Sequence, residues 1–190
     1  MLKEFITLSG DADRLVAGPD KVYTYSSATQ TVTDVSGALS FNATRVDPWW
    51  PFFFNDSMYF TQINDGLHKW SSGAVAAVPL APKARVGGVI AAHLCLFNTS
   101  DAGGTHPQRF HWAAEATDDV WDAAPNNDAG FFDIVEGGDV GIGALPIQDD
   151  LALYKELAIV QITFIGGNEV FGRRYTIRNV GLLAAYAVVD

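Results

Sequence analysis

Short runs of apolar and aromatic residues alternate with turn residues along most of the chain. Gly, Asn, Asp or Pro closes each run, which is the pattern of β-strands joined by tight turns. Helical periodicity is scarce and is only weakly present at residues 113–120. The pattern therefore predicts an all-β fold. The clearest predicted strands cover residues 21–26, 58–62, 94–98, 151–155 and 158–165.

Glycine-containing turns separate these runs. Tight hairpins need residues with positive φ, and glycine adopts such angles at the lowest cost. Turns of this kind are predicted at residues 18–20, 64–66 and 166–168. Four glycine pairs are predicted to lie between strands for the same reason: Gly87-Gly88, Gly103-Gly104, Gly137-Gly138 and Gly166-Gly167.

Four segments of the chain align with one another without gaps. Each places an aromatic residue at its third position, and each follows another short apolar strand, at residues 15–17, 58–61, 94–97 and 151–154. The aromatics are Tyr25, Trp70, Trp112 and Phe164, separated by 45, 42 and 52 residues. A repeat of about 40–50 residues made of strands is typical of the four-stranded blades of a β-propeller.

The repeat predicts a β-propeller-like fold of about four blades, formed by a single domain over residues 1–190. The four repeat aromatics are predicted to pack in the seams between blades, because a four-stranded sheet needs cover on both faces. Four blades is the lower limit for a propeller, so the ring can be open or completed by a partner chain. Strands are predicted at the two ends, residues 3–9 and 181–189. They can pair with each other and close the ring, or pair with a partner chain. A β-sandwich or jelly roll is the alternative fold.

An aromatic cluster at residues 49–54 is the most apolar short segment. By alternation, Phe52 and Phe54 are predicted to be core residues of an inner strand. Trp49 and Trp50 stand beside Pro48 and are candidate partner contacts, together with Trp121. In a carbohydrate-binding module, exposed tryptophans at these positions would stack on sugar faces.

Charge and composition restrict the partners. The net charge is −10, from 22 acidic and 12 basic residues, which argues against sequence-specific nucleic-acid binding. Cys95 is the single cysteine, so no internal disulfide is expected. The longest apolar run, residues 86–97, is shorter than the roughly 20 residues of a membrane span, and no signal peptide is recognised. Assembly in a cytoplasm is therefore expected.

Residue patterns typical of catalysis or metal binding are missing from the sequence. The histidines at 68, 93, 106 and 111 do not have the spacing of a zinc site, and the acidic clusters do not match a calcium-binding loop. Asp118 and Asp139 could form a glycosidase carboxylate pair, although no spacing singles them out. We therefore expect a protein without enzymatic activity, cofactor or metal.

Residues 54–70 resemble the propeller proteins of tailed-bacteriophage virions. An aromatic residue, an Asn-Asp turn, an apolar strand, a second turn with Asn, Asp and Gly, and Trp70 follow one another in this run. Similar stretches occur at residues 93–98, 109–112 with 120–122, and 151–167, and the resemblance covers about residues 50–178. It is to neck and tail components of the nozzle, tail tubular or packaged-DNA-stabilisation type.

The resemblance implies a virion structural protein that surrounds the DNA channel in several copies. It implies other virion proteins and copies of the chain itself as partners, in a homo-oligomeric ring. Trp70 and Trp112 would be the seam aromatics of this family, and no catalytic residue is implied. The alternative function is a carbohydrate- or receptor-binding module of a tail or fibre, and an enzyme on the same scaffold is the last alternative.

Overall fold

The computed structural model describes residues 2–6, 12–44, 46–135 and 139–184, with the backbone alone for residues 2–6, 12–13 and 175–176. These residues form an all-β structure of sixteen antiparallel strands in four sheets of four strands each. The all-β prediction is confirmed. Residues 113–120 form turns, and 181–184 are not a strand. The rest of the predicted terminal strand lies outside the described residues, as does the end of the first one.

Each sheet is a meander of four strands that are consecutive in the chain. Sheet 1 contains β1 Leu2–Ile6, β2 Ala12–Ala17, β3 Val22–Ser26 and β4 Thr31–Asp34. Sheet 2 contains β5 Trp50–Phe54, β6 Ser57–Gln62, β7 Gly66–Trp70 and β8 Ala76–Ala77. Sheet 3 contains β9 Lys83–Ile90, β10 His93–Asp101, β11 Gly104–Trp112 and β12 Gly130–Asp133. Sheet 4 contains β13 Gly141–Ile147, β14 Asp150–Lys155, β15 Ala158–Phe164 and β16 Phe171–Arg178.

Local sequence explains the turns between these strands. Gly66 has φ +95°, and Gly166 and Gly167 have φ +79° and +70°. Residues that carry a Cβ rarely adopt these backbone angles. The β6–β7 and β15–β16 turns therefore form where the sequence predicts them. The predicted strands also fall on β3, β6, β10, β14 and β15.

The sheets pack in chain order. One buried cluster joins sheets 1 and 2, and a second joins sheets 2, 3 and 4. In β9 the two faces alternate, so that Gly87 faces Phe52 of sheet 2 while Gly88 faces Leu151 of sheet 4. Sheet 3 is thus covered on both faces, as in a propeller-like arrangement of blades. Neither buried cluster of the described residues joins sheet 4 to sheet 1.

Candidate assembly surfaces

Aromatic rings resting on first-strand glycines bring neighbouring sheets together. A Cβ at Gly87 would overlap the Phe52 ring of sheet 2, and a Cβ at Gly141 would overlap the Phe97 ring of sheet 3. Both glycines belong to the first strand of their sheet, and both rings come from the preceding sheet. The missing side chains allow the rings to lie directly on the backbone, which brings the sheets close together.

Gly87-Gly88 was predicted to lie in a turn, and this prediction is wrong. Both residues lie inside β9, where they receive side chains from the two neighbouring sheets. The sequence signal is ambiguous because glycine serves tight turns and close backbone approaches alike. Of the other predicted pairs, Gly104 and Gly166-Gly167 do have positive φ. Gly137 and Gly138 lie outside the described residues.

The four repeat aromatics occupy equivalent places in the topology. Tyr25, Trp70, Trp112 and Phe164 lie at or next to the end of the third strand of sheets 1, 2, 3 and 4. Trp70 is buried in the cluster between sheets 1 and 2. Trp112 packs edge-on against Phe171 of sheet 4 at 5.1 Å between ring centroids. These two side chains therefore fill seams between sheets.

Phe164 and Tyr25 are less enclosed. The Phe164 ring contacts His93 of sheet 3 at 5.6 Å but is 43% exposed, so it lies at the margin of the seam between sheets 3 and 4. Tyr25 is half-buried, and by alternation from Val22 it points away from sheet 2. It therefore does not lie in a seam between two described sheets.

The expectation that Trp49, Trp50 and Trp121 are exposed is wrong, because all three are buried. Trp49 is 3% exposed, and its indole N–H donates to the Gly18 carbonyl at 2.8 Å. Trp50 is 7% exposed and belongs to the cluster of sheets 2, 3 and 4. Trp121 is 2% exposed, and its indole N–H donates to the Asp118 carbonyl at 2.9 Å. The residues that flank these tryptophans in the sequence, such as Pro48, do not indicate that the tryptophans are buried. Their burial depends on contacts with other parts of the fold.

The connection from β11 to β12, residues 113–129, is fastened to sheet 2 through Asp118. Its carboxylate accepts a hydrogen bond from the Tyr59 hydroxyl at 2.7 Å and from Lys69 Nζ at 2.9 Å. Burial raises the pKa of Tyr59, and the adjacent carboxylate raises it further. Burial would also raise the pKa of Asp118, but hydrogen bonds from Tyr59 and Lys69 outweigh it, so that this pKa is lowered.

The same connection is fastened to sheet 3 through Asp128. One carboxylate oxygen accepts from the Glu115 amide at 2.9 Å, and the other lies 2.9 Å from Nε2 of the buried His93. Burial acts to raise the pKa of Asp128, but these two partners lower it below its ordinary value. The connection is therefore held on sheets 2 and 3 by two carboxylates, together with hydrogen bonds from the Ala113 and Ala116 amides to the Leu94 and Ala92 carbonyls.

A buried ion pair fixes the passage from sheet 3 to sheet 4. Lys155 on β14 is 0% exposed, and its Nζ lies 2.9 Å from Asp139 Oδ1 and donates to the Ile134 carbonyl at 2.9 Å. Burial would raise the pKa of Asp139, but the Lys155 ammonium and the Leu157 amide lower it. Asp118 and Asp139 are thus bound separately to sheets 2 and 4, and the structure does not bring them together as a carboxylate pair.

Sheet 4 presents an apolar face away from sheet 3, here called its outer face. Leu151, Leu153 and Val160 point into the cluster with sheet 3, so their alternating neighbours point outward. Cross-strand pairing places the outward side chains side by side, with Tyr154 opposite Ile159 and Ile159 opposite Ile177. The apolar residues of this face are Leu145, Ile147, Ala152, Tyr154, Ile159 and Ile177, and the polar residues Asp150, Gln161 and Arg174 lie among them.

Sheet 1 presents a second outer face at the opposite end of the series. Leu15, Ala17 and Val22 point into the cluster with sheet 2, and alternation sends their neighbours outward. Tyr23 pairs with Val16, and Tyr25 pairs with Val32, which is 65% exposed. Neither outer face contributes these side chains to a buried cluster of the described residues.

The sequence contains a pattern that indicates the outer faces. In β14 and β15 both sets of alternating residues include apolar side chains, which is typical of strands that are covered on both sides. The sequence predicts strands at these runs, but it does not separate the face toward sheet 3 from the face that points outward. Leu145, Ile147, Tyr154, Ile159 and Ile177 were therefore missed as surface residues.

The chemistry available on these surfaces is that of packing. Among the described residues, no three His, Cys, Asp or Glu side chains are grouped so as to hold a metal ion. Cys95 is buried, and burial raises the pKa of its thiol well above the ordinary value, which disfavours the reactive thiolate. The described part of the chain contains no helix that is long and apolar enough to cross a membrane.

Comparison with known proteins does not assign a family to this chain. No protein-family model matches the sequence, and no significant match is found among curated proteins. The resemblance to bacteriophage neck and tail proteins therefore stays a prediction.

Proposed function

We propose that this chain is a structural protein that assembles in several copies through its two outer faces. The observation that carries the proposal is the apolar outer face of sheet 4, where Ile147 is 50% and Ile177 41% exposed. Apolar side chains grouped on one sheet face, here with Asp150, Gln161 and Arg174 among them, are typical of a protein–protein contact. The occupant proposed for it is the outer face of sheet 1 in a second copy.

Continuity with the internal seams supports a second copy as the occupant. Within the chain, sheets 1, 2 and 3 each pack a face against the next sheet through apolar and aromatic side chains. The series then ends with one partly apolar outer face on sheet 4 and another on sheet 1. A head-to-tail contact between copies repeats the internal contact, and a rotation that closes on itself produces a ring.

Within this proposal, the assembled ring belongs to the neck or tail of a tailed-bacteriophage virion and surrounds the DNA channel. The resemblance at residues 54–70 favours this place, and the net charge of −10 suits a surface that DNA passes without binding. Its partners are other virion proteins and further copies of the chain, assembled in the host cytoplasm. No catalytic role and no cofactor are part of the proposal.

Mass spectrometry of purified particles of the virus that encodes the chain tests the place in the virion. The proposal expects the chain in intact particles, at several copies per particle, after free protein has been removed by density-gradient centrifugation. Particles that contain a major capsid protein but none of this chain would overturn the virion assignment. The contact between outer faces would then still be testable on the isolated protein.

The alternative of a carbohydrate-binding module loses the residues on which it was based, because Trp49, Trp50 and Trp121 are buried. The enzyme alternative likewise gains no support from Asp118 and Asp139, which have separate partners.

A further inference from the structure

The buried ring of His93 lies between two oxygen acceptors, one at each nitrogen. Its side chain is fully enclosed, with Nδ1 2.6 Å from the Ala91 carbonyl oxygen and Nε2 2.9 Å from Oδ2 of Asp128. A carbonyl oxygen only accepts hydrogen bonds, and so does an ionised carboxylate. Burial acts to raise the pKa of Asp128, but the Glu115 amide and the His93 ring lower it, so this carboxylate is ionised near neutral pH.

A neutral imidazole does not satisfy this arrangement. It carries one hydrogen, so its other nitrogen would direct a lone pair at an oxygen either 2.6 or 2.9 Å away. With a hydrogen on both nitrogens, the ring donates to the Ala91 carbonyl and to the Asp128 carboxylate at once, and it forms an ion pair with the carboxylate. The arrangement of the connection seen here, called closed below, therefore requires the doubly protonated ring.

Asp128 is the charged side chain that the described residues place against the His93 ring. From sheet 4, the rings of Phe171 and Phe164 contact the imidazole at 5.1 and 5.6 Å between centroids, and neither carries a charge. From the connection, Glu115 takes part through its backbone amide, while its side chain is exposed. The protonation of the ring is therefore tied to one carboxylate.

The β9–β10 turn holds the acceptor of Nδ1 in place. Ala91 and Ala92 have φ +46° and +60°, which is an uncommon region for residues with a Cβ. The Ala91 carbonyl faces the His93 ring, and the Ala92 carbonyl accepts from the Ala116 amide at 2.8 Å. The turn and the β11–β12 connection are thus joined twice, through the His93 ring and through Ala116.

We propose that His93 is a pH-dependent switch whose second ring proton holds the β11–β12 connection closed on sheet 3. When the ring loses this proton to water, the N–H bond breaks and its electron pair stays on the nitrogen. One attraction then becomes a repulsion between a lone pair and an oxygen, and the connection opens across residues 113–129. The switch uses no outer-face residue, so this proposal and the proposed assembly can fail independently.

The sign of the pH effect follows from the form that the closed connection binds. Because folding retains the proton, the switch contributes stability at lower pH and loses it as the pH rises through the range in which histidines titrate. The fastening to sheet 2 stays constant in this range, since the pKa of Asp118 is lowered and that of Tyr59 is raised.

His111 is a second buried histidine that contacts the connection, with Nε2 2.9 Å from the Trp121 carbonyl. Burial lowers the pKa of His111, so its ring is neutral except in acid. Protonation there would place a buried charge under the connection and open it at low pH. The two histidines therefore predict opposite pH dependences, which one experiment can distinguish.

Amide hydrogen exchange of the full chain, measured from about pH 5.5 to about pH 8.5, tests the switch. After correction for the intrinsic pH dependence of exchange, protection of residues 113–129 should fall about tenfold with rising pH, as expected for one lost hydrogen bond to a charged group. Protection of the strands should be retained. Constant protection of the connection would overturn the proposal, and protection that rises with pH would assign the effect to His111 instead.

His93→Gln and His106→Gln form a matched pair of variants. Glutamine has no titratable proton, and His106 pairs with Asp101 at 3.2 Å in the β10–β11 hairpin, outside the connection. His93→Gln should leave the connection poorly protected at every pH in this range, whereas His106→Gln should keep the native pH dependence. A native pH dependence in His93→Gln would contradict the role of the ring.

Nitrogen NMR of the histidine rings observes the proton in the native chain, without relying on a variant that folds. Both ring nitrogens of His93 should have the chemical shifts of protonated nitrogens at each pH where the connection is protected. A neutral His93 ring beneath a protected connection would overturn the proposal.

Discussion

Glycine at position 87 determines how closely sheets 2 and 3 approach. The Phe52 ring occupies the space that a Cβ would need, and the position lies inside a strand and not in a flexible turn. Phe52 is itself 9% exposed and held in the cluster of sheets 2, 3 and 4. The ring has little room to move between the two sheets. A side chain added at position 87 would therefore destabilise the contact between sheets 2 and 3.

Gly87→Ala is expected to destabilise the protein by about 1–3 kcal/mol through overpacking. Gly88→Ala is the control in the adjacent residue, because its Cβ would meet the end of the Leu151 side chain at 3.2 Å, and that side chain can adjust. Urea denaturation of both variants measures the difference. Equal stability of the two variants would show that the seam does not depend on the ring lying on Gly87.

A second prediction concerns the buried ion pair between Lys155 and Asp139. Lys155→Met leaves the Asp139 carboxylate buried without its cation and should cost about 3–5 kcal/mol near neutral pH. Lys21→Met is the control, since the Lys21–Asp34 ion pair is exposed, at 39% and 45%, and should contribute little to stability. Denaturant titrations of the three chains give the comparison.

The effect of Lys155→Met should depend on pH. The lowered pKa of Asp139 means that its ion pair contributes stability above the pKa of an unfolded aspartate, about 3.9, and loses it as the pH falls through the lower value of the folded state. The difference between native chain and variant should therefore shrink in acid. A difference that stays constant down to acidic pH would contradict the role of the carboxylate charge.

At the scale of elements, the β11–β12 connection is the longest irregular segment that packs on two sheets. It is held by a few backbone hydrogen bonds and by side-chain contacts, in which Asp118 reaches Tyr59 and Lys69 on sheet 2 and Asp128 reaches His93 on sheet 3. Segments held in this way open more easily than strands do, because few backbone hydrogen bonds fix them.

Asp118→Ala should loosen this connection without unfolding the sheets. The change removes two hydrogen bonds to a carboxylate, and we expect faster amide exchange across residues 113–129 with strand protection retained. Hydrogen–deuterium exchange followed by mass spectrometry resolves the two regions, and Asp119→Ala in the same connection is the control. Exchange that accelerates equally in the strands and in the connection would show that Asp118 acts on the whole fold.

Strands and turns could be predicted from the sequence because their signals are local. Apolar runs became β3, β6, β10, β14 and β15, and Gly66, Gly166 and Gly167 have the positive φ that their turns need. The burial of Trp49 and Trp121 could not be predicted, because it depends on a neighbouring sheet and a distant connection. The position of Gly87 inside a strand could not be predicted for the same reason, because its partner Phe52 lies on another sheet.

At the scale of the whole molecule, the series of four sheets ends in two outer faces that carry apolar residues next to polar ones. Alternation in β14 and β15 shows that both faces of sheet 4 carry apolar residues, but a single chain supplies a neighbour for only one of them among the described residues. A two-layer sandwich would bury one face of each sheet and leave no sheet enclosed on both sides, unlike sheet 3 here. How the molecule assembles therefore depends on what covers the outer face of sheet 4.

Ile159→Lys and Leu157→Lys are the variants that address this face. Ile159 lies on the outer face between Tyr154 and Ile177, whereas Leu157 is 57% exposed in the adjoining β14–β15 turn. A lysine in the middle of a buried contact would place an unpaired charge there and should abolish the assembly. A lysine in the turn should leave it intact.

The molar mass of the full chain in solution, measured by light scattering after size-exclusion chromatography, tests the central claim most directly. The chain mass is 20.5 kDa, and the account predicts a multiple of this value for the native protein and for Leu157→Lys, with a single chain for Ile159→Lys. A native protein that elutes as a compact single chain at every concentration would contradict assembly through the outer faces and indicate that the chain covers them itself.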